Sequence, residues 1–374
     1  MTNILVAGDF CPNNRVKQLL EEDDFESVFG NVRKYIEKAD FSIINLEAPV
    51  VENNAHPIAK CGPNLKCSSK AIDALKWAGV DMVTLANNHF YDYGDEGVNQ
   101  TLAVCHNSNI KTIGGGKNII ESSTTVYQNI KGMRFAIINC CEEEYSIATK
   151  NTGGSNSLNP IQQYYAIQEA KSKSDYIVLI VHGGHEMYQL PSLRMKELYR
   201  FFIDSGADVV INHHQHCFSG YESYNGKPIF YGIGNFSFDR LGKRNSIWNE
   251  GYMVMLYFGN DKIEFELIPY VQGDERPGIE ILRDRTRFDI MVAELNTIIS
   301  NDVQLQKMHQ EWMAKTSKRY KLALEPYTNK YLEALYMRGL LPSLISKKKQ
   351  LRLLGYIKCE AHLERLINVL KNSI

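Results

Sequence analysis

Short apolar runs in this chain repeatedly end at polar side chains that can carry chemistry. The clearest example is the run VTLA at 83–86, which is typical of a buried strand and which Asn87, Asn88 and His89 follow at once. Two amides and an imidazole cannot lie in an apolar core without hydrogen-bonding partners. Because paired asparagines also mark turns, this stretch alone leaves two interpretations open, a polar turn and a functional site.

Strands and helices alternate through the first part of the chain, which is typical of parallel βα units. The apolar runs predict strands at 4–7, 41–46, 80–86, 176–181 and 208–211, and helical patterns lie at 70–78, 94–107, 161–173 and 192–205. Runs at 124–128 and 133–139, and at 252–258 and 263–270, have the spacing of hairpins. We therefore predict an α/β fold in which two sheets pack as a sandwich with helices outside. A polar segment at 142–160 is a candidate lid or disordered loop.

The pattern becomes helical after residue 278 and predicts a mostly helical C-terminal appendage. We place the boundary so that one domain covers 1–272 and a basic helical region covers 273–374. Residues 281–374 contain 17 Lys and Arg against 9 Asp and Glu, so the tail is basic and the body acidic. The run Lys347–Lys349 is usually a solvated face, and a contact with phosphate, a polyanion or the surface of a membrane is the alternative.

Composition argues against several classes of protein. The net charge is −1, so nucleic acid is not an expected partner. No run approaches the ~18 apolar residues of a membrane span, and the first residues lack a signal-peptide pattern, which predicts a cytoplasmic protein. The eight cysteines form no CxxC pair, so we expect free thiols rather than disulfides.

The polar residues at the ends of the predicted strands form one candidate constellation. They are Asp9, Glu47, Asn88, His89, His182, His214 and His216. In an open parallel sheet the carboxyl ends of the strands lie at one edge, where ligand sites assemble. Carboxylates, imidazoles and an amide oxygen suit divalent metal ions of borderline hardness, and one carboxylate can bridge two ions.

Spacing adds two finer expectations. On an extended segment, His214 and His216 would face one metal centre and His213 would point away. His89 follows the proposed ligand Asn88 directly, a position suited to protonating a leaving group.

Several short motifs lie in a specific order within residues 3–240. They are Gly8-Asp9, Asn45-Leu46-Glu47, Ala86-Asn87-Asn88-His89 with Asp92-Tyr93-Gly94, His182-Gly183-Gly184-His185-Glu186, His213-His214-Gln215-His216 and Gly232-Ile233-Gly234-Asn235-Phe236. In this combination they resemble the CapA family, the PGA_cap proteins of bacterial capsule and poly-γ-glutamate synthesis, whose fold is similar to that of calcineurin-like metallophosphoesterases. The resemblance implies a four-layer αββα domain that binds one or two divalent ions, Mn, Fe or Zn.

The resemblance also implies roles for individual residues. The implied ligands are Asp9, Glu47 and His216 for one ion, and Glu47, Asn88, His182 and His214 for the other. His89 would be the general acid or anion-stabilising group, and Glu186 would serve catalysis by orienting a ligand histidine. Substrate contacts are expected from Asn87, His185 and Asn235. A structural role is the alternative for Asn87, a surface position for His185 and a plain turn for Asn235.

The chain departs from the metallophosphoesterase pattern at three positions. That pattern places a histidine two residues after the first aspartate, where this chain has Cys11, and it bridges with aspartate, where this chain has Glu47. The Asp9 site is therefore short of one ligand unless Cys11 or a water replaces it, and we expect one well-occupied ion and a weaker second. In the family, the first histidine of the HWG-type motif is commonly followed by tryptophan, and this chain has Gly183 at that position. The smaller residue widens the expected pocket.

These residues predict a metal-dependent hydrolase, and the resemblance implies the phosphoesterase type and a role in capsule, poly-γ-glutamate or cell-surface polymer biosynthesis. The expected substrate is an anionic small molecule or polymer, and Lys60 and Lys66 on the long loop 48–68 are candidate contacts for it. Two alternatives stay open. One is a metal-binding accessory protein of polymer synthesis with little turnover, and the other is an amide hydrolase or transferase that acts on poly-γ-glutamate.

Overall fold

The structure is a computed structural model that describes residues 1–52, 55–259 and 262–371. Its strands are β1 (Thr2–Phe10), β2 (Phe41–Leu46), β3 (Met82–Thr84), β4 (Lys111–Ile113), β5 (Gly115–Gly116), β6 (Val126–Ile130), β7 (Met133–Cys141), β8 (Gly154–Ser155), β9 (Tyr176–His182), β10 (Val209–His213), β11 (Tyr221–Tyr224), β12 (Lys227–Phe230), β13 (Asn235–Ser237), β14 (Glu250–Phe258), β15 (Ile263–Gln272) and β16 (Ile279–Ile281). Its helices are α1 (Asn14–Glu21), α2 (Phe25–Phe29), α3 (Arg33–Lys38), α4 (Lys70–Ala78), α5 (Gly94–Asn107), α6 (Ile119–Ser122), α7 (Pro160–Lys171), α8 (Leu193–Ser205), α9 (Thr286–Ser300), α10 (Asp302–Leu322), α11 (Lys330–Met337), α12 (Lys347–Lys358) and α13 (Glu360–Lys371). Residues 53 and 54 of the predicted loop 48–68 lie outside the described residues.

The first sheet has the strand order β16-β15-β14-β1-β2-β3-β4, and β13 also pairs with β1. Strands β1 to β4 run parallel, so their carboxyl ends share one edge. β14 runs antiparallel to β1 and forms the predicted hairpin with β15. Side chains alternate along β1 as a strand with two buried faces requires, with Leu5 packed among the helices and Ile4 and Val6 facing the other way.

The second sheet has the order β11-β12-β10-β9-β7-β6. β12, β10, β9 and β7 are parallel, and the edge strands β11 and β6 are antiparallel, the latter forming the predicted hairpin with β7. Helices α7 and α8 pack on β9 and β10. Ser192 caps the N-terminus of helix α8, and its hydroxyl accepts a hydrogen bond from the backbone N–H of Met195. Gly206, whose φ of 124° favours glycine, directly follows the helix.

The two sheets pack face to face around an apolar cluster. Its members from the first sheet include Ile4, Val6, Ile43 and Val254, and those from the second include Phe135, Ile137, Val178, Ile180, Val209 and Ile211. A second apolar cluster lies between the first sheet and helices α1, α2, α4 and α5. Helices therefore cover both outer faces, and the predicted four-layer αββα sandwich is confirmed.

The chain divides into two compact units, Met1–Leu305 and Gln306–Ile374. β16 pairs with β15, and Phe288 and Val292 of α9 belong to the inter-sheet cluster. β16 and α9, which follow the predicted boundary after residue 272, are therefore part of the first unit. The described part of the second unit is helical, as predicted for the appendage. No helix among the described residues is long and apolar enough to cross a membrane.

The segment 142–160, expected as a lid or disordered loop, packs into the first unit instead. Its β8 pairs with β5, and the side chains of Ser155 and Asn156 are buried. The Asn156 amide donates to the backbone carbonyl of Asn139 at 2.8 Å, so the polar side chains that suggested a mobile loop are used internally.

Candidate metal centre

The structure brings the six predicted ligands together at the carboxyl ends of strands from both sheets. Asp9 lies near the end of β1, Glu47 follows β2, Asn88 follows β3, His182 ends β9, and His214 and His216 follow β10. All six side chains are buried. A cluster of this polarity inside a protein is costly unless each group is paired or binds a cation.

Three of these residues converge on one imidazole nitrogen. The Nε2 atom of His182 lies 3.1 Å from Asn88 Oδ1, 3.0 Å from His214 Nδ1 and 3.8 Å from Glu47 Oε1. Burial lowers the pKa of His182 and of His214, and a neighbouring histidine lowers each further. Both rings are therefore held neutral, which is the form that binds metal ions.

Glu47 is the residue whose surroundings most strongly indicate a cation site. It is fully buried, and neither carboxyl oxygen has a hydrogen-bond partner within residues 1–52, 55–259 and 262–371. Burial raises the pKa of Glu47 well above its ordinary value, and Asp9 adds to the rise. Ligand atoms of Glu47, His214 and His216 lie within 4.8 Å of one another. This donor set of one carboxylate and two imidazoles fits a borderline divalent ion.

Asp9 is the second carboxylate of the cluster and is more strongly paired. Its Oδ1 accepts a hydrogen bond from the Asn45 amide at 2.7 Å and lies 3.2 Å from His213 Nδ1. Its Oδ2 lies 3.5 Å from His216 Nδ1. Burial by itself would raise the pKa of Asp9, but the His213 and His216 rings hold it well below its ordinary value. Asp9 is thus ionised and available as a ligand.

The backbone conformation of the segment after β10 differs from the extended one that the sequence analysis assumed. His214 and His216 have φ values of 85° and 53°, so they lie in a turn and not on an extended strand. The expectation that His213 points away is wrong, because it ends the strand with its ring beside Asp9. Strained backbone of this kind is often found where a site positions its side chains.

His89 lies beside a buried network. Its Nδ1 is 2.7 Å from Asp92 Oδ2, and Asp92 also accepts the Leu65 N–H at 2.7 Å. Lys60 is paired with the other oxygen of Asp92 and lies 3.2 Å from His89 Nδ1. Lys66 is exposed with its ammonium 5.3 Å from the centre of the Tyr93 ring. Lys60 is thus held inside the protein by an ion pair, whereas Lys66 lies at the surface.

Two residues expected to contact substrate have structural partners. The Asn87 amide donates to the Leu46 carbonyl at 2.9 Å, and its oxygen accepts the His89 N–H at 3.1 Å. Asn235 Oδ1 lies 2.8 Å from His216 Nδ1, so this side chain orients a proposed ligand. Both are fully buried, which favours the structural role for Asn87 and replaces the plain turn at Asn235.

The other predicted residues lie at the margin of the cluster. Glu186 is exposed, with its charge near His214 and His216, and His185 is partly exposed with its ring 6.5 Å from that of Tyr188. Cys11 belongs to the apolar cluster under the helices, and burial, followed by the charge of Glu47, raises the pKa of its thiol.

Sequence comparison relates most of the first unit to one family. A family model described as bacterial capsule synthesis protein PGA_cap matches residues 3–240. The capsule biosynthesis protein CapA of Bacillus anthracis is 32% identical over 243 residues, covering 63% of this chain and 59% of the relative. The PGA biosynthesis protein CapA of Bacillus subtilis is 30% identical over 237 residues, covering 63% of this chain and 62% of the relative.

A third relative is more distant. A probable polyglutamine synthesis accessory protein of Mycobacterium tuberculosis is 24% identical over 234 residues, covering 58% of this chain and 61% of the relative. The matches therefore span less than two thirds of the length of each of these three relatives.

Solved structures were found with low similarity. A hypothetical protein from Thermus thermophilus is 13% identical with a TM-score of 0.46, covering 72% of this chain and 98% of that chain. A 5′-nucleotidase precursor from the same organism is 11% identical with a TM-score of 0.42, covering 81% of this chain and 59% of that chain.

Proposed function

The chain belongs to the PGA_cap family of bacterial capsule synthesis proteins, and from this membership we propose that it is a metal-dependent hydrolase of the phosphoesterase type. Its substrate would be an anionic small molecule or polymer in the synthesis of capsule, poly-γ-glutamate or another cell-surface polymer. The observation that carries the proposal is Glu47, a buried carboxylate to which no group among the described residues donates a hydrogen bond, next to two imidazoles. A bound cation gives this arrangement a physical reason.

The proposed ligands divide into two sets that share Glu47. Asp9, Glu47 and His216 would hold one ion, and Glu47, Asn88, His182 and His214 the other. Divalent Mn, Fe or Zn bound there would activate water and offset negative charge on a phosphoester. The side-chain oxygen of Asn235 contacts Nδ1 of His216 and so fixes the orientation of that ring. The other ring nitrogen of His216, Nε2, lies 3.5 Å from Glu47 Oε1 and would be the one that binds the ion.

His89 is the proposed proton donor to the leaving group. Asp92 accepts a hydrogen bond from its Nδ1, which selects the ring tautomer and leaves Nε2 for the substrate. The ammonium group of Lys60 forms an ion pair with the other carboxyl oxygen of Asp92. This ion pair keeps the buried Asp92 carboxylate in place beside His89. Glu186, near the histidines, is proposed to assist in orienting them, and His185 to contact the substrate.

Metal content and hydrolysis test the proposal together. The protein is purified without chelator, analysed for bound metal and assayed with Mn²⁺ on phosphomonoesters, phosphodiesters and a γ-glutamyl amide. Glu47→Gln removes the bridging charge and should lose both metal and ester hydrolysis, while Glu197→Gln, an exposed glutamate on α8, should behave as the wild type. A wild-type protein that binds no Mn²⁺ or Zn²⁺ would refute the metal-dependent function.

An accessory role is the second candidate, and the name of the Mycobacterium relative favours it. In that case the same residues would bind metal, and the protein would support polymer synthesis with little turnover. Metal bound at normal affinity with no hydrolysis of any ester or amide would favour this role. Cleavage of the γ-glutamyl amide alone would instead favour action on poly-γ-glutamate.

The second unit is proposed to make a peripheral contact with an anionic membrane surface. Helix α12 contains five basic residues and no acidic one, and its Leu351 and Leu354 are exposed. Basic charge next to apolar side chains is typical of helices that lie on membranes. Sedimentation with vesicles with and without anionic lipid tests this contact, and replacement of Lys347–Lys349 by glutamine should weaken it. A cytoplasmic location stays a prediction, which cell fractionation can check.

A further inference from the structure

We propose that His213 is an additional metal ligand that completes the site of the ion held by Asp9. This inference rests on the proposed metal centre and adds to it a residue that neither the sequence spacing nor the family pattern assigned. It also explains how the site could form with Cys11 at the position where the metallophosphoesterase pattern has a histidine ligand.

The first argument is the environment of the His213 ring. Its side chain is 1% exposed, and both ring nitrogens lack a well-aligned hydrogen bond in the part of the chain that the structure describes. A buried imidazole whose two nitrogens are not both satisfied is destabilising, because the neutral ring carries a proton on one nitrogen and a lone pair on the other. A metal ion bound at Nδ1 would satisfy the lone pair on the side of the ring that faces Asp9.

The second argument is the direction of the ring. The preceding residue, Asn212, donates from its amide to the carbonyls of Gly183 and Tyr231 and accepts from the Tyr199 hydroxyl of α8. Asn212 therefore faces the helix layer, and the alternation along β10 turns His213 to the opposite face, towards the first sheet. There its Nδ1 lies 3.2 Å from Asp9 Oδ1.

The third argument is the distance itself. Two atoms bound to one ion at about 2.0–2.2 Å each, at a right angle, lie about 3 Å apart. The separation of 3.2 Å between His213 Nδ1 and Asp9 Oδ1 is close to that value. With Asp9, Glu47 and His216, His213 would raise the protein ligands of this ion to four, and Cys11, packed among apolar side chains, would not be needed.

The test uses His213→Ala and His213→Asn in the full chain, with exposed His106→Ala as the control. Asparagine keeps an N–H near the position of Nδ1, so it can still donate to Asp9, but it cannot provide an imidazole ligand. Metal content by elemental analysis and affinity by calorimetry are measured with Mn²⁺ and Zn²⁺. We expect both His213 variants to lose one ion or to bind it at least about 100-fold more weakly, and the control to bind as the wild type.

A direct readout is anomalous diffraction from crystals of the metal-loaded wild type. An ion within about 2.0–2.2 Å of a His213 nitrogen would establish the bond, whether or not the variants fold. An ion at Asp9 that does not contact His213, or normal binding by His213→Ala, would overturn the inference and leave the proposed function intact. Absence of metal from the wild type would refute both.

Discussion

The Nδ1 atom of His89 lies 2.7 Å from Oδ2 of Asp92, three residues further along the same turn. The His89 side chain is 10% exposed and that of Asp92 is fully buried. The pair is therefore held from inside the protein while the ring keeps limited contact with solvent. Such an arrangement fixes one ring nitrogen and leaves the other for chemistry, which makes His89 the residue whose role is most directly testable.

We expect His89→Ala to lower kcat for ester hydrolysis by about 10²–10⁴-fold, because loss of a positioned general acid has effects of that size. Metal content should stay as in the wild type, since His89 is not among the proposed ligands. Steady-state kinetics and elemental analysis of the same preparation measure both quantities. If His89→Ala also lost its metal, a role in building the centre would replace the proton-donor role.

Removal of Lys60 should destabilise the protein. Its side chain is 3% exposed and is paired with the fully buried Asp92, so Lys60→Met leaves a buried carboxylate without its cation. We expect a loss of about 3–5 kcal/mol in the free energy of unfolding, measured by urea denaturation. Lys66→Met, on the same loop but exposed, should change stability by about 1 kcal/mol or less.

The double variant Lys60→Met with Asp92→Asn separates charge from packing. If the unpaired carboxylate causes the loss, neutralising it should recover a large part of the stability. A double variant as unstable as Lys60→Met alone would mean that packing of the lysine stem is responsible.

Glu47 should make the metal-free protein less stable as the pH rises. Burial raises its pKa well above the ordinary value of 4.5, so the folded protein binds this proton more tightly than the unfolded chain does. The resulting stabilisation is complete below the unfolded pKa and is lost as the pH rises through the raised folded pKa. Urea unfolding of metal-free protein between about pH 5 and 8 measures the slope.

Glu47→Gln should remove this part of the slope, and Glu197→Gln should leave it unchanged. The comparison with the wild type isolates Glu47 from Asp9 and His216, which also titrate in the cluster. Equal slopes for wild type and Glu47→Gln would show that the Glu47 pKa is not raised. Added Zn²⁺ should stabilise the wild type far more than Glu47→Gln, because the ion takes the place of the proton.

Gly8→Ala should lower the affinity for metal, although Gly8 is not a proposed ligand. A Cβ at Gly8 would lie 1.9 Å from the Gly234 carbonyl oxygen, so the backbone before Asn235 would have to move. Asn235 orients His216, and we expect lower metal affinity together with a loss of about 1–3 kcal/mol in the free energy of unfolding. Gly355→Ala in α12, where a Cβ would meet no described atom within 4 Å outside its own stretch of helix, should be neutral or slightly stabilising. Calorimetry and thermal unfolding measure the two effects, and unchanged affinity in Gly8→Ala would contradict the link.

The candidate ligands were predictable because each follows an apolar run, and strands that run parallel share an edge. The same reasoning failed for the direction of His213, because an extended backbone was assumed through residues 213–216, although His214 and His216 do meet at Glu47. The positive φ angles of His214 and His216 set which way the imidazoles of residues 213, 214 and 216 face. The contact between Asn235 and His216 was also not predictable, because nothing near Asn235 in the sequence indicates that the two residues lie together.

By itself, the sequence determined the αββα sandwich and the chemical set of donors at its strand ends, because hydrophobic periodicity and residue type are local properties of the chain. Only the tertiary structure decided which donors meet. The pairs Lys60–Asp92, Asp9–His213 and His216–Asn235 join residues on different elements, and their geometry depends on turn dihedrals and on packing between sheets. A buried charge or imidazole takes its role from the partner that reaches it, and that partner is set by the fold.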